Sequence, residues 1–99
     1  MNKGFIYCIK SLNNNLIYIG STKQTLGMRL SKHKYDSKIQ TRAKPVHQMI
    51  MNNGGFDNFE IKLLKEIEYD DITLLHLYEK KIIEDYKHNN NYQLMNINK

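Results

Sequence analysis

Cysteine is nearly absent from this chain of 99 residues. A single Cys8 excludes an intramolecular disulfide, and no group of Cys and His has zinc-site spacing. No run of about 18 apolar residues occurs, so no segment is long enough to cross a bilayer as a helix. Met1-Asn2-Lys3-Gly4 leads straight into a strand-like run, which argues against a secretory signal. Together these absences make an intracellular site the default expectation. Arginine is scarce as well. Of 15 positive charges, 13 are Lys and only Arg29 and Arg42 are Arg, while Asn and Ile are abundant. That bias points to AT-rich coding DNA. In such a background Arg29 stands out for its planar, permanently charged fork. Repeats and internal boundaries are also lacking, so residues 1–99 read as one domain with one modest core.

What is present is a globular composition with 40% hydrophobic residues and a net charge of +5. Lys and Arg neutralise phosphates and release counterions, so a polyanionic partner fits. Small Lys-rich domains are also basic for solubility alone.

Gly4 to Ser11 reads as a strand, with Phe5, Tyr7 and Ile9 on one face and Ile6 and Cys8 on the other. Leu16 to Gly20 reads as a second strand. Asn13-Asn14-Asn15 between them is a turn signal, because Asn tolerates positive φ. With Asn13-Asn14 as a two-residue turn, Tyr7 faces Gly20 and Ile9 faces Tyr18. Tyr7 and Tyr18 then share a face, and a one-residue slip would separate them. Thr25 suits the N-cap of a helix to about Ser37, with Leu26, Leu30 and His33 inward and Arg29 one turn before His33. Pro45 suits the first turn of another helix, which Gly54-Gly55 ends. Phe59, Ile61 and Leu63 alternate with Glu60 and Lys62 in a third strand to about Ile67. Asp70-Asp71 precede a last helix from about Ile72 to Tyr86. In the Asn-rich tail, Tyr92, Leu94, Met95 and Ile97 are available to pack back. The expected order β-β-α-α-β-α makes a small α/β sandwich of three strands and helices.

Glu79 is the most telling residue on these grounds. Leu75, Tyr78, Ile82 and Tyr86 trace the apolar stripe of the last helix, and Glu79 lies inside it. A carboxylate there is costly unless it is paired, bound to a metal or able to reach water. A lone carboxylate suits Mg²⁺ or Mn²⁺, ions that keep most of their waters. Tyrosines in strands are ordinarily packing residues. Tyr7 or Tyr18 could act as a base only if cations lowered a phenol pKa near 10. Arg29 could steady charge on a phosphate, or make a surface ion pair. His33 could hold a phosphate or a water, or be a satisfied histidine at a helix edge. His47, His76 and His88 have no context that lifts them above that ordinary role. Lys32, Lys34, Lys38, Arg42 and Lys44 form a basic run that would guide a DNA backbone, or simply be solvated.

Phe5-Ile6-Tyr7 and Tyr18-Ile19-Gly20, followed by Arg29-Leu30-Ser31-Lys32-His33, resemble the GIY-YIG nuclease family. Asn53-Gly54-Gly55-Phe56-Asp57-Asn58-Phe59 is similar to the family's link into its third strand. Leu77-Tyr78-Glu79-Lys80-Lys81-Ile82-Ile83 is similar to its glutamate helix. The resemblance implies an α+β fold with a small three-stranded antiparallel sheet flanked by about three helices. It implies a metal-dependent endonuclease that hydrolyses DNA phosphodiester bonds. Tyr7 would activate water, assisted by Tyr18. Arg29 and His33 would steady the reacting phosphate, and Glu79 would hold the one Mg²⁺ or Mn²⁺. Asn96 would anchor the site, with Asn91 the alternative. Lys23, Lys32, Lys34, Lys38 and Arg42 would contact DNA. Phe5 stands where glycine is usual, and Ser21 where some members carry lysine. Relatives often attach a separate DNA-binding domain, so the target would be set elsewhere, for example by a partner protein. A catalytically silent DNA-binding or protein-interaction module on the same fold is the alternative, and a basic adaptor without nucleic acid the third.

Overall fold

A computed structural model describes residues 2–38, 45–89 and 91–96, with residues 36–38 described by their backbone only. The elements follow in the order β1 (Asn2–Ser11), β2 (Leu16–Thr22), α1 (Leu26–Lys38), α2 (Pro45–Asn52), a 3₁₀ turn (Phe56–Asn58), β3 (Phe59–Tyr69), α3 (Ile72–Lys87) and β4 (Gln93–Leu94). The sheet order is β3-β1-β2-β4. β1 is central and antiparallel to both β2 and β3.

Hairpin register follows the expectation of an even turn. Tyr7 faces Gly20 and Ile9 faces Tyr18. The turn does not use positive φ, since no non-glycine residue among those described adopts it. Side chains shape it instead. Ser11 Oγ accepts the N–H groups of Asn13 at 3.1 Å and Asn14 at 3.2 Å, and Asn14 Oδ1 accepts the Leu16 N–H at 3.0 Å. Short polar side chains that bond nearby backbone offer this alternative to a left-handed turn.

Two expectations need correction. The sheet has four strands and is mixed, because β4 pairs with β2 in parallel. Gln93 N–H donates to Asn15 O at 2.8 Å and Met95 N–H to Ile17 O at 2.7 Å. Two strand residues in an Asn-rich tail are too few to show alternation. In addition, β3 does not keep one alternation throughout. A bulge lies where Tyr7 pairs with Leu63 but Ile6 pairs with Lys65. One extra residue reverses the facing of everything beyond it. Phe59 and Ile61 therefore join Tyr7's face, whereas Ile67 and Tyr69 join Ile6's. Leu63, expected to pack with Phe59, is half exposed.

The sheet thus separates two apolar clusters. Ile6, Cys8, Ile17, Ile19, Ile67 and Tyr69 pack with Leu75 of α3. Tyr7, Ile9, Leu16, Phe59 and Met95 pack with Val46 and Ile50 of α2. Each fully buried isoleucine contributes on the order of 1.5–3 kcal/mol. Thr25 caps α1 as expected, and Asp71, expected only to complement the dipole of α3, also caps it. Thr25 Oγ1 accepts the Met28 N–H at 3.3 Å, and Asp71 Oδ1 accepts the Thr73 N–H at 3.0 Å. Past α2, Gly54 takes φ 100° and the Gly55 N–H returns to Ile50 O at 2.9 Å, a glycine-dependent stop.

Candidate active site

Tyr7 sits at the middle of the central strand with no exposed surface. Its ring lies over Gly20, its cross-strand partner, where a Cβ would come within 2.5 Å of the phenol oxygen. Gly20 is thus required by close approach of a side chain. Tyr18 is diagonal to Tyr7 on the same face, with ring centroids 6.4 Å apart.

α1 crosses this face and brings two side chains one helical turn apart. Arg29 Nε donates to the Tyr7 oxygen at 3.2 Å. His33 is buried, with Nε2 2.8 Å from the same oxygen. The other ring nitrogen, Nδ1, lies 2.8 Å from Nε2 of His47 on α2, which is only 1% exposed. Four side chains from three elements thereby form one line, Arg29, Tyr7, His33 and His47, buried at all but the half-exposed Arg29. The rings of Tyr18 and His33 also meet edge to face at 5.9 Å.

Electrostatics oppose a simple phenolate. Burial pushes the Tyr7 phenol up, and the Arg29 hydrogen bond and charge pull it down without winning. The expectation that surrounding cations lower this group is not met in the free protein. Tyr18 is pushed up to about 12 by burial, then by Tyr7 and by the Glu79 carboxylate, with Arg29 opposing. Glu79 raises both phenols, so its charge is felt at the site. It is half buried on α3, within the apolar stripe that Leu75, Tyr78, Ile82 and Tyr86 trace. No hydrogen bond or ion pair to it occurs among the described residues.

A sequence profile of the GIY-YIG catalytic domain matches residues 3–93. The chain belongs to the GIY-YIG family. Membership places it in the class of endonuclease domains. A putative MSV199 domain-containing protein, 146R of Invertebrate iridescent virus 6, is 44% identical over 87% of this chain and 34% of its own length. The uncharacterized protein 019R of the same virus is 35% identical over 87% of the chain and 30% of its own length. The chain therefore spans about a third of these curated relatives. Among solved structures, the catalytic domain of intron endonuclease I-TevI, in a glutamate-to-alanine mutant, superimposes with a TM-score of 0.74. It shares 26% identity, with 98% of this chain and 97% of that one covered. A second structure of that domain, at 23% identity and TM-score 0.69, covers 95% of this chain and 99% of its own, and shares the fold.

In this GIY-YIG domain the remaining expected residues are placed as follows. Asn96 follows β4 and completes its pairing with a side chain. Its Oδ1 accepts the Ile19 N–H at 2.9 Å and its Nδ2 donates to Ile19 O at 2.8 Å. This amide stands in for a strand peptide beside Tyr18 and pins the tail to β2. Asn91, the alternative, is exposed and its N–H is held by Asn89 Oδ1. Lys32 and Lys34 are exposed on α1, and Lys23 lines an open cleft with Lys3 and Asp70, away from the Tyr7 line. The Lys38 side chain, Arg42 and Lys44 lie outside what the structure describes.

His47 is the residue that sequence reasoning passed over. It is three residues before buried Ile50 and next to buried Val46, so it shares α2's inner face. A histidine on the apolar side of an eight-residue helix was the available signal.

Proposed function

We propose that this domain is a divalent-metal-dependent endonuclease that hydrolyses DNA phosphodiester bonds. The observation that carries the reading is the Tyr7 oxygen, held 3.2 Å from Arg29 Nε and 2.8 Å from His33 Nε2. Tyr7 takes a proton from the attacking water as its own proton passes to His33 Nε2. The new hydroxide oxygen bonds to phosphorus and the bond to the leaving sugar oxygen breaks. Tyr18, on the same face with its ring centroid 6.4 Å from that of Tyr7, orders the water. Arg29 is half exposed, so its guanidinium can turn toward a phosphate and steady the charge that develops there. Asn96 keeps β2, and with it Tyr18, in register.

Glu79 fits a metal ligand. Its carboxylate is half buried, has no partner among the described residues, and acts on both phenols. No group of three or more His, Cys, Asp or Glu surrounds it among those residues, which suits an Mg²⁺ or Mn²⁺ ion that keeps several waters. Such an ion supplies positive charge against the phosphate and leaving oxygen. Lys23, Lys32, Lys34, Lys38 and Arg42 contact the DNA backbone. Target choice falls to chain or partner outside the domain, in keeping with relatives about three times its length.

Nicking of supercoiled plasmid with Mg²⁺ or Mn²⁺ tests the reading, with Glu79→Ala beside wild type. Metal-dependent nicking is expected in wild type alone, and equal nicking by the variant overturns the mechanism. One observation favours a second reading, a catalytically silent DNA-binding module: Tyr7 has no exposed surface. That module would bind DNA in a salt-sensitive way while Mg²⁺ left the plasmid intact.

A further inference from the structure

We infer that His47 is a positioning residue that sets the tautomer of His33, and so the direction of the proton that Tyr7 holds. The inference rests on the proposed role of Tyr7 and goes beyond it.

Hydrogen-bond accounting carries the argument. Arg29 Nε is a donor only, so the Tyr7 oxygen accepts from it. Tyr7 is fully buried, and its own O–H therefore needs a protein acceptor. His33 Nε2, at 2.8 Å, is that acceptor. A neutral imidazole with one bare nitrogen carries its proton on the other. His33 thus holds its proton on Nδ1 and donates it to His47 Nε2 at 2.8 Å. His47 is locked for this task by its burial at 1% exposure between Val46 and Ile50. The reverse arrangement, with His47 donating and His33 donating on to Tyr7, leaves the Tyr7 proton without an acceptor among the described residues. It also removes the acceptor into which Tyr7 would discharge. An oriented partner that fixes a histidine's tautomer is a recurrent device in acid–base sites. Here a second histidine on α2 takes that place.

Long-range ¹H–¹⁵N correlation spectra of protein labelled at histidine test this without any activity. Wild-type His33 is expected as the Nδ1–H form. In His47→Leu the buried Nδ1–H loses its acceptor, so a share of the Nε2–H form absent from wild type is expected to appear, and nicking to fall roughly 10- to 100-fold, the range seen when partners that orient metal-bound histidines are removed. His47→Gln places an amide oxygen near the lost Nε2, and should keep both the tautomer and most of the nicking. A wild-type His33 found as Nε2–H overturns the inference, as does a His47→Leu spectrum unchanged from wild type. If His47→Leu does not fold, the wild-type and His47→Gln spectra still decide. If wild type does not nick at all, the nuclease reading fails while the tautomer result stands by itself.

Discussion

Gly20→Ala should nearly abolish nicking while leaving a folded protein. A Cβ at residue 20 would lie 2.5 Å from the Tyr7 oxygen, 2.6 Å from its Cζ and 3.0 Å from Cε2 of Tyr18. Comfortable separation is about 3.5–4.0 Å, so the Tyr7 ring must retreat by about 1 Å. That is enough to break contacts of 2.8 Å to His33 and 3.2 Å to Arg29. Overpacking of this kind costs about 1–3 kcal/mol. In a domain of this size each kcal/mol lowers the Tm by about 4–8 °C. Misplacing a reacting group by ~1 Å costs on the order of 100-fold in rate. Gly4→Ala is the matched control. Its Cβ would meet the Leu75 methyls at 2.7 and 2.8 Å and Tyr69 Cε1 at 3.0 Å, on the opposite face of the sheet. The steric insult is similar, so the Tm should fall by a similar amount with nicking largely retained. Gly27, whose Cβ meets nothing within 4 Å, serves as the neutral case, and Gly27→Ala should stabilise α1 by about 0.5–1 kcal/mol. Plasmid nicking and thermal melts, run well below every Tm, separate the cases. Wild-type nicking by Gly20→Ala, or equal loss in Gly4→Ala, would refute the reasoning.

Asn96→Leu leaves the Ile19 N–H and C=O without their side-chain partner, and each unmet buried group costs about 1–3 kcal/mol. Amide exchange at Ile19 should accelerate relative to β1; unchanged protection there would show that Asn96 is not the tie. Stability should fall as pH rises through the alkaline range. Folded Tyr18 releases its proton near 12 against an ordinary 10.0, and Tyr7, Tyr86 and Cys8 are also raised, so the folded state holds more protons than the unfolded one in that window. Urea midpoints should decline above about pH 9–10, and less steeply in Tyr18→Phe; a flat or rising profile would contradict the burial assigned to these groups.

The two-strand register and the shared face of Tyr7 and Tyr18 were legible because a period of two leaves only two outcomes, and an even turn selects one. Arg29 above His33 followed from helical spacing. Asp71, Thr25 and Gly54 marked helix ends through local chemistry that does not depend on the rest of the fold. What escaped was long-range. The bulge opposite Tyr7 depends on which strand β3 joins, and nothing within Phe59–Tyr69 names β1 as that partner. β4 exists because Asn15, Ile17 and Ile19 offer an edge to Gln93, Met95 and Asn96, and the Ile19–Asn96 contact alone spans 77 residues. His47 gained its meaning only when α2 was laid against α1. A buried histidine is ambiguous until the nitrogen facing it is known.

The rise in the Tyr7 pKa sharpens the case for a cation at Glu79. In the free protein burial outweighs Arg29, so the site holds a neutral phenol. An arriving phosphate adds negative charge, which acts on the phenol in the same direction as burial. It also draws on the one guanidinium that opposes both. DNA binding alone would therefore make Tyr7 a poorer base than it is in the free domain. Glu79 adds to the burden, since its carboxylate raises Tyr7 and Tyr18 alike. A divalent cation held there reverses the sign of that contribution, from one negative charge to a net positive one. If Glu79 holds a metal as proposed, the bare carboxylate would oppose Tyr7 as a base and the bound cation would favour it. Glu79→Ala should thus bind DNA at least as well as wild type in the absence of metal, while failing to cut in its presence. Filter retention of labelled DNA in chelator reads the first half of that expectation. Weaker retention of Glu79→Ala than wild type would show that Glu79 acts on DNA by some route other than charge at this site.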